Sequence, residues 1–317
     1  MDGPLGSVNG RNGTSAATRR HGRGRGYRAP VTIPLPRRDR RDRAVDGPSL
    51  PDLAAQPGVP AAIEAARTAV TALRGHPALR RHRERIAGAA AVRAARASAA
   101  LDGAPLALDG GVAESVADAV GDPRLAGALR VTASLVDLKS VWQRAPLQAL
   151  ARLHVLAAAD LVEGGLAGVG PSGVDPSGVD PSGVDPSGPD LLGRPRPDPA
   201  TGPRLAALAD VVAAAPWPAP VMVAVVQGEL LALRPFGSAD GVVARAAGRL
   251  AMMSSGLDPD GLVVPEVAYL RFGPRYRSAA REFGAGEASG VTAWLLLVCD
   301  SLIAGAREGG SIADAAG

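Results

Sequence analysis

A chain of 317 residues with only three Trp, three Tyr and three Phe has to fill its interior with Ala, Leu and Val. Ala carries the lowest cost of entering a helix, and long alternating Val, Ile and Tyr runs of the kind that build half-buried strands are absent. The expected class is therefore all-α. The hydrophobic fraction of 46% is ample for a core, and the length suits one large domain or two small ones.

Prolines and glycines punctuate the helical periods. Pro60 opens one that runs to Leu73, and Gly75 ends it. His76-Pro77 opens a longer one through ALRRHRERIAGAAAVRAARASAAL, which Gly103 stops. Arg80, Arg81, Arg83 and Arg85 crowd its first half, as a solvated face or as a binding surface. A short helix is expected over 112–119 and a longer one over 123–143. Pro146 then starts PLQALARLHVLAAADLV, where Leu147, Leu150, Leu153 and Leu156 recur at helical spacing and His154 sits among them. Further helical periods cover 203–215, 221–233 and 239–255, followed by a short element near VPEVAYLR and a C-terminal pair, PRYRSAAREFGAG and EASGVTAWLLLVCDSLIAGAR. This organisation places one helical domain over 53–308. Residues 1–52, rich in Gly, Pro and Arg, and the last residues, 309–317, read as disordered tails.

Residues 166–202 form a low-complexity loop. PSGVD occurs at 171–175, 176–180 and 181–185, with PSGPD at 186–190. Each unit pairs turn-forming residues with one apolar group and cannot bury enough surface to fold alone, so the segment reads as an expanded surface loop and not as a solenoid. Its regularly spaced Asp residues do not follow a calcium-loop pattern.

Charge is unevenly placed. Residues 1–50 hold eleven Arg against four Asp, whereas residues 51–317 hold 24 basic and 27 acidic groups. The high pI therefore belongs to the N-terminal segment. Its HGRGRGYR and RRDRRDR stretches, within 11–43, could meet nucleic acid or an acidic partner by screened attraction. Cys299 stands alone, which excludes an intramolecular disulfide, and His21, His76, His82 and His154 have no zinc-ligand spacing. No signal-peptide pattern is visible. The most apolar windows are interrupted by Pro216, Pro218, Pro220 and Glu229 or by Asp300, so no membrane span is expected and the cytoplasm is the default location.

The chemically suggestive stretch is ALRPFGSADGVVARAAGRL, residues 232–250. An apolar helix, a Pro-Phe corner, a small-residue turn and a new helix gather several backbone N–H groups at one helix N-terminus, the pattern of an anion site and equally of a plain packed corner. Within it RPFGSADGVVAR resembles the Fic/Doc signature, His-Pro-Phe-x-Asp-Gly-Asn-Gly-Arg-x-x-Arg. The helix before it, PAPVMVAVVQGELLAL, the upstream ARLHVLAAADLV followed by GRPRP, and Ser98-Ala-Ala-Leu-Asp102-Gly103 are similar to the family's flanking parts. The last of these resembles its inhibitory motif, Ser/Thr-x-x-x-Glu-Gly/Asn.

The resemblance covers about residues 60 to 300, in family order. It implies a Fic-like helical bundle around a central helix-loop-helix. In active members the motif transfers a nucleotidyl or phosphoryl group from ATP or a relative to a protein hydroxyl, with His as base, an acid for magnesium, and Asn, backbone and arginines for phosphates.

By position, Arg234 stands in place of the His, Ser238 of the metal acid, Ala239 of the first Gly, Asp240 of the Asn and Val242 of the first Arg. Pro235, Phe236, Gly241 and Arg245 match. A guanidinium is protonated at every working pH, so Arg234 cannot accept the hydroxyl proton. Ser238 is a weaker magnesium ligand than a carboxylate, and Asp240 would repel phosphate.

The expected function is therefore a catalytically degenerate Fic-like protein that binds a nucleotide, another anion or a protein partner through Arg234, Ser238, Asp240, Gly241 and Arg245. The alternatives are a transferase of altered chemistry, with Asp240 or His154 as proton acceptor, and a nucleic-acid or acidic-partner binder using the N-terminal Arg cluster. The resemblance further implies that Asp102 pairs with Arg245. Because Asp is one methylene shorter than Glu, this needs a closer helix approach or a bridging water. Asp240 is expected to neutralise Arg234.

Overall fold

A computed structural model describes residues 54–105, 118, 121–163 and 191–317. The N-terminal segment with its Arg cluster, most of the short helix expected over 112–119, and the pentapeptide repeats lie outside the described residues. The described residues form an all-α bundle of ten helices without strands. These are α1 (Val59–Arg74), α2 (Leu79–Leu101), α3 (Pro123–Arg144), α4 (Pro146–Glu163), α5 (Thr201–Ala214), α6 (Ala219–Leu233), α7 (Asp240–Ser254), α8 (Pro265–Phe272), α9 (Pro274–Ala285) and α10 (Ala288–Ala316).

The bundle is organised around α6. Every residue from Pro220 to Leu230 is buried, and a helix apolar on all sides has to be covered on all sides. Helix α7 lies along one flank, with α1, α5, α9 and α10 against the others. Helix α7 in turn contacts α2, α3 and α4, so the corner between α6 and α7 sits where most of the bundle converges. Trp294 of α10 ties its indole N–H to the Ala224 carbonyl on α6 at 2.8 Å, satisfying the one polar atom of a fully buried side chain.

The C-terminus departs from expectation. Residues 309–316 were expected to fray and instead continue α10 to Ala316. Three tertiary contacts account for this. Ala313 is fully buried, His76 meets the Asp314 carboxylate at 3.0 Å, and the Arg85 guanidinium donates to the Ala316 carbonyl at the helix end. A cation on the last carbonyls satisfies acceptors that a free helix end leaves open. Among the described residues α10 is the one helix long and apolar enough to cross a membrane by length and composition. Its Trp294, Leu297, Val298 and Leu302 are already buried within the bundle.

Candidate functional site

Helix α6 ends at Leu233, and Arg234 caps it in the left-handed region, φ 46°, with its N–H on the Leu230 carbonyl at 2.9 Å. After Pro235 and Phe236 the chain turns through Gly237, and Ala239, φ 51°, leads into α7 at Asp240. Among the described residues only Ala215, Arg234 and Ala239 are non-glycine residues with positive φ, and two of them stand in this corner. Such a conformation costs about 1–2 kcal/mol for a residue with a side chain. Backbone strain of this kind persists where surrounding structure imposes it, and it gathers at functional sites.

The turn does hold an anion, and the anion is its own. One Asp240 oxygen accepts the Phe236 N–H and the other the Gly237 N–H, each at 2.9 Å. Burial pushes the Asp240 carboxyl up to about 6, against the pull of the Phe236 amide, Arg234, the Gly237 amide and Arg196. Asp240 was expected to face the cradle, where it would repel phosphate, and to pair with Arg234. It lies in the cradle but makes no direct pair with Arg234. The two amides are fixed donors at hydrogen-bonding distance, and Arg234 remains exposed and acts on Asp240 only through its charge.

Arg245 is closed off from the opposite side. Its Nε donates to the Ser98 hydroxyl at 2.8 Å, and its Nη2 to the Ser98 carbonyl and the Asp102 carboxylate, each at 2.9 Å. The Tyr276 hydroxyl is a further partner. Burial alone would lower the Arg245 pKa, but Asp102 and Tyr276 hold it above its ordinary value. The contact with Asp102 is direct, and two glycines explain how the shorter acid reaches.

Gly103, φ 95°, stops α2, with its N–H on the Ala100 carbonyl and the Ala104 N–H on the Ala99 carbonyl. That paired closure fixes Asp102 as the cap of the helix. Across from it, a Cβ placed on Gly241 would lie 2.7 Å from Asp102 Oδ2, so only a glycine at 241 lets the carboxylate come this near. Ser98, Asp102, Gly103, Gly241 and Arg245 therefore converge.

His154 is buried on α4 and stacks on Phe236, with ring centroids 4.3 Å apart. Its Nδ1 accepts the Gly193 N–H at 2.9 Å, which puts the ring proton on Nε2, and Nε2 lies 3.0 Å from the Ser238 hydroxyl. In this tautomer His154 donates to Ser238 and has no lone pair left to accept a proton from it. Burial lowers the His154 pKa to about 4, keeping the ring neutral. The segment carrying Gly193 also seats Arg196, whose N–H bonds the Pro235 carbonyl at 2.7 Å. His154 has no lone pair free for a substrate hydroxyl, and the Asp240 carboxylate is buried with each oxygen on a turn amide.

A second set of polar residues went unread in the sequence. Gln227 of α6 donates to the Tyr276 hydroxyl at 2.9 Å and accepts from Tyr269 at 3.1 Å, which extends the contacts of Arg245 into the core. One turn along α7, Arg249 binds the Val263 and Gly261 carbonyls, each at 2.8 Å, and the Glu266 carboxylate at 3.2 Å. Asp258 ties that loop through the Leu262 and Val263 amides. The clue was the scarcity of aromatics: Tyr269, Tyr276, Phe236, Phe283 and Trp294 are all buried, and the two tyrosines, stacked at 4.7 Å, carry the hydroxyls of this network.

The donor set does not fit magnesium. Ser238 offers one neutral oxygen already held by His154, and both Asp240 oxygens are taken by amides. A nucleotide phosphate would have to displace Asp102 from Arg245 and Asp240 from the turn. No protein-family model matches the chain, and no curated protein matches it.

Proposed function

We propose that the protein is a cytoplasmic, catalytically degenerate Fic-like protein that acts by binding a protein partner and not by group transfer. The observation that carries this reading is the internal neutralisation of the corner. The Phe236 and Gly237 amides hold Asp240 and Arg245 holds Asp102, so the buried donors of the corner already have carboxylates of the same chain on them.

Two further observations support the family resemblance itself. Ser98 and Asp102 reach Arg245 from the helix that carries the Ser-x-x-x-Asp-Gly motif. Ala239, at the position of a signature glycine, keeps a backbone conformation suited to glycine. In this reading the turn stands where the signature loop would be, with its base, its metal acid and its first arginine replaced. Arg234 cannot serve as base, His154 has its acceptor nitrogen on the Gly193 amide, and Asp240 is buried with both oxygens on turn amides.

Isothermal titration of the full chain with ATP, ADP and inorganic phosphate, alongside a transfer assay with labelled ATP and magnesium, tests the proposal. No Arg245-dependent heat and no labelled protein are expected. Nucleotidyl or phosphoryl transfer that disappears on Arg245→Ala would overturn it.

A further inference from the structure

The arginines of the corner divide into two kinds. Arg245 and Arg249 are buried against carboxylates, whereas Arg196 and Arg234 are exposed and their guanidinium groups have no hydrogen-bond or ion-pair partner among the described residues. Both exposed arginines are held at the backbone. The Arg196 N–H is on the Pro235 carbonyl, its own carbonyl accepts the Asp198 N–H at 2.8 Å, and its Cδ lies 2.9 Å from where a Gly237 Cβ would be. Arg234 is fixed by its left-handed cap. Both charges act on the same buried carboxylate, Asp240, so they border the same small patch of the turn. Arg194, also exposed, is two residues away along the chain. One buried acid facing two guanidinium groups leaves the rim net positive.

We infer that this rim, built on Arg196 and Arg234, docks an acidic peptide segment of a protein partner. The inference rests on the reading of the corner as a binding site and names its partner chemistry. Carboxylates are favoured over phosphate because a phosphate site at a helix start draws on backbone N–H groups, and the Phe236 and Gly237 amides are already filled. What remains are two planar forks in solvent, whose geometry matches the carboxylates of Asp and Glu side chains. Their backbones are ordered before binding, so less freedom is lost when a partner is gripped.

Fluorescence anisotropy of a labelled Glu-rich decapeptide titrated with the full chain tests this. Arg196→Glu with Arg234→Glu is expected to weaken binding by about tenfold or more, and the same pair changed to Gln by about threefold or more. Circular dichroism melts confirm that each variant is folded, and the neutral pair keeps the test decisive if charge reversal beside Asp240 disturbs the turn. Arg37→Glu with Arg38→Glu, in the basic N-terminal segment, is expected to leave most of the affinity.

Binding lost with the N-terminal pair but kept with the rim pair would overturn the inference. So would displacement of the peptide by equimolar inorganic phosphate. Affinity that emerges only after deletion of residues 171–190 would assign the rim to the chain's own acidic repeat and overturn it as well. None of these results reports on group transfer, so this inference and the proposed function fail separately.

Discussion

Arg245 and Arg249 stand one turn apart on α7 and each meets a carboxylate, yet the two pairs are built differently. Arg249 and Glu266 have side chains 5% and 2% exposed, and the two Arg249 terminal nitrogens also reach the Val263 and Gly261 carbonyls of the loop before α8, leaving its buried Nε without a partner among the described residues. Arg245 is as buried, at 2%, but its acid Asp102 is 19% exposed and caps the end of α2. The first pair is sealed on every side, and the second opens toward solvent through its acid. The same two functional groups thus serve as a fixed brace at one end of α7 and as a closure that water can reach at the other.

The largest effect is expected at the brace. Removing one partner of a buried pair leaves the other charge without compensation, at about 3–5 kcal/mol. Arg249→Ala strands Glu266, whose pKa burial pushes up and Arg249 holds down, and leaves the Val263 and Gly261 carbonyls unmet. A urea melt reads the loss. A change below about 1 kcal/mol would erase the distinction between the two ends of the helix.

Next come two opposed pH effects at the turn. His154 has a folded pKa of about 4 against 6.5 in the unfolded chain, so the fold binds fewer protons between those values and loses stability as pH falls through them. Asp240 has a folded value of about 6 against 3.8, so the fold binds more protons there and gains stability as pH falls from 6 toward 4. At 1.36 kcal/mol per pH unit each is worth about 3 kcal/mol, with opposite sign. Melts between pH 4 and 6.5 should show Asp240→Asn gaining on the wild type as pH rises and His154→Asn losing ground to it. Parallel shifts of the two variants would mean that the two groups do not titrate as their environments dictate.

A smaller loss is expected from Asp102→Ala. Arg245 keeps Ser98 and Tyr276, and water can enter where the carboxylate was, so the cost falls to about 1–3 kcal/mol. Millimolar phosphate should restore part of the melting temperature by occupying the vacated position beside Arg245. Phosphate should not rescue Arg249→Ala, whose lost contacts are a buried acid and two carbonyls. Equal rescue of both variants would show that the ion acts on the protein generally and not at the closure.

These two ends of α7 also differ in how legible they were. The Asp102–Arg245 closure was expected because the resemblance to the Fic/Doc signature implied it, and its parts also follow local rules: Gly103 stops a helix, and Ser98 and Asp102 stand four apart on one face. The brace was not. Arg249, Gln227 and Glu266 are single polar residues in apolar stretches, and only tertiary packing brings Val263 and Tyr269 to them. Most helices were legible through such local rules, at Pro123, Pro146, Pro274 and the unbroken apolar face of α6. The end of α10 was misread for the brace's reason, because the residues that hold it, His76 and Arg85, are more than two hundred positions away.

The smallest expected effect concerns the turn's own backbone and sharpens the contrast from another side. Ala239 adopts φ 51°, where a methyl group costs about 1–2 kcal/mol that a glycine avoids. Glycine also has more freedom to lose on folding, and the partly buried Ala239 methyl packs on the core, so the two effects oppose. Ala239→Gly is therefore expected to stabilise the protein by about 0.5–1 kcal/mol in thermal melts, a direction opposite to glycine substitution inside a helix. If the turn were a relaxed corner with no imposed shape, the chain would shift Ala239 to negative φ and the substitution would destabilise. A gain in stability instead means that the Asp240 carboxylate, fastened to the Phe236 and Gly237 amides, holds the loop in a conformation its own sequence disfavours. Such a loop retains the form of an anion cradle because an internal anion remains in it.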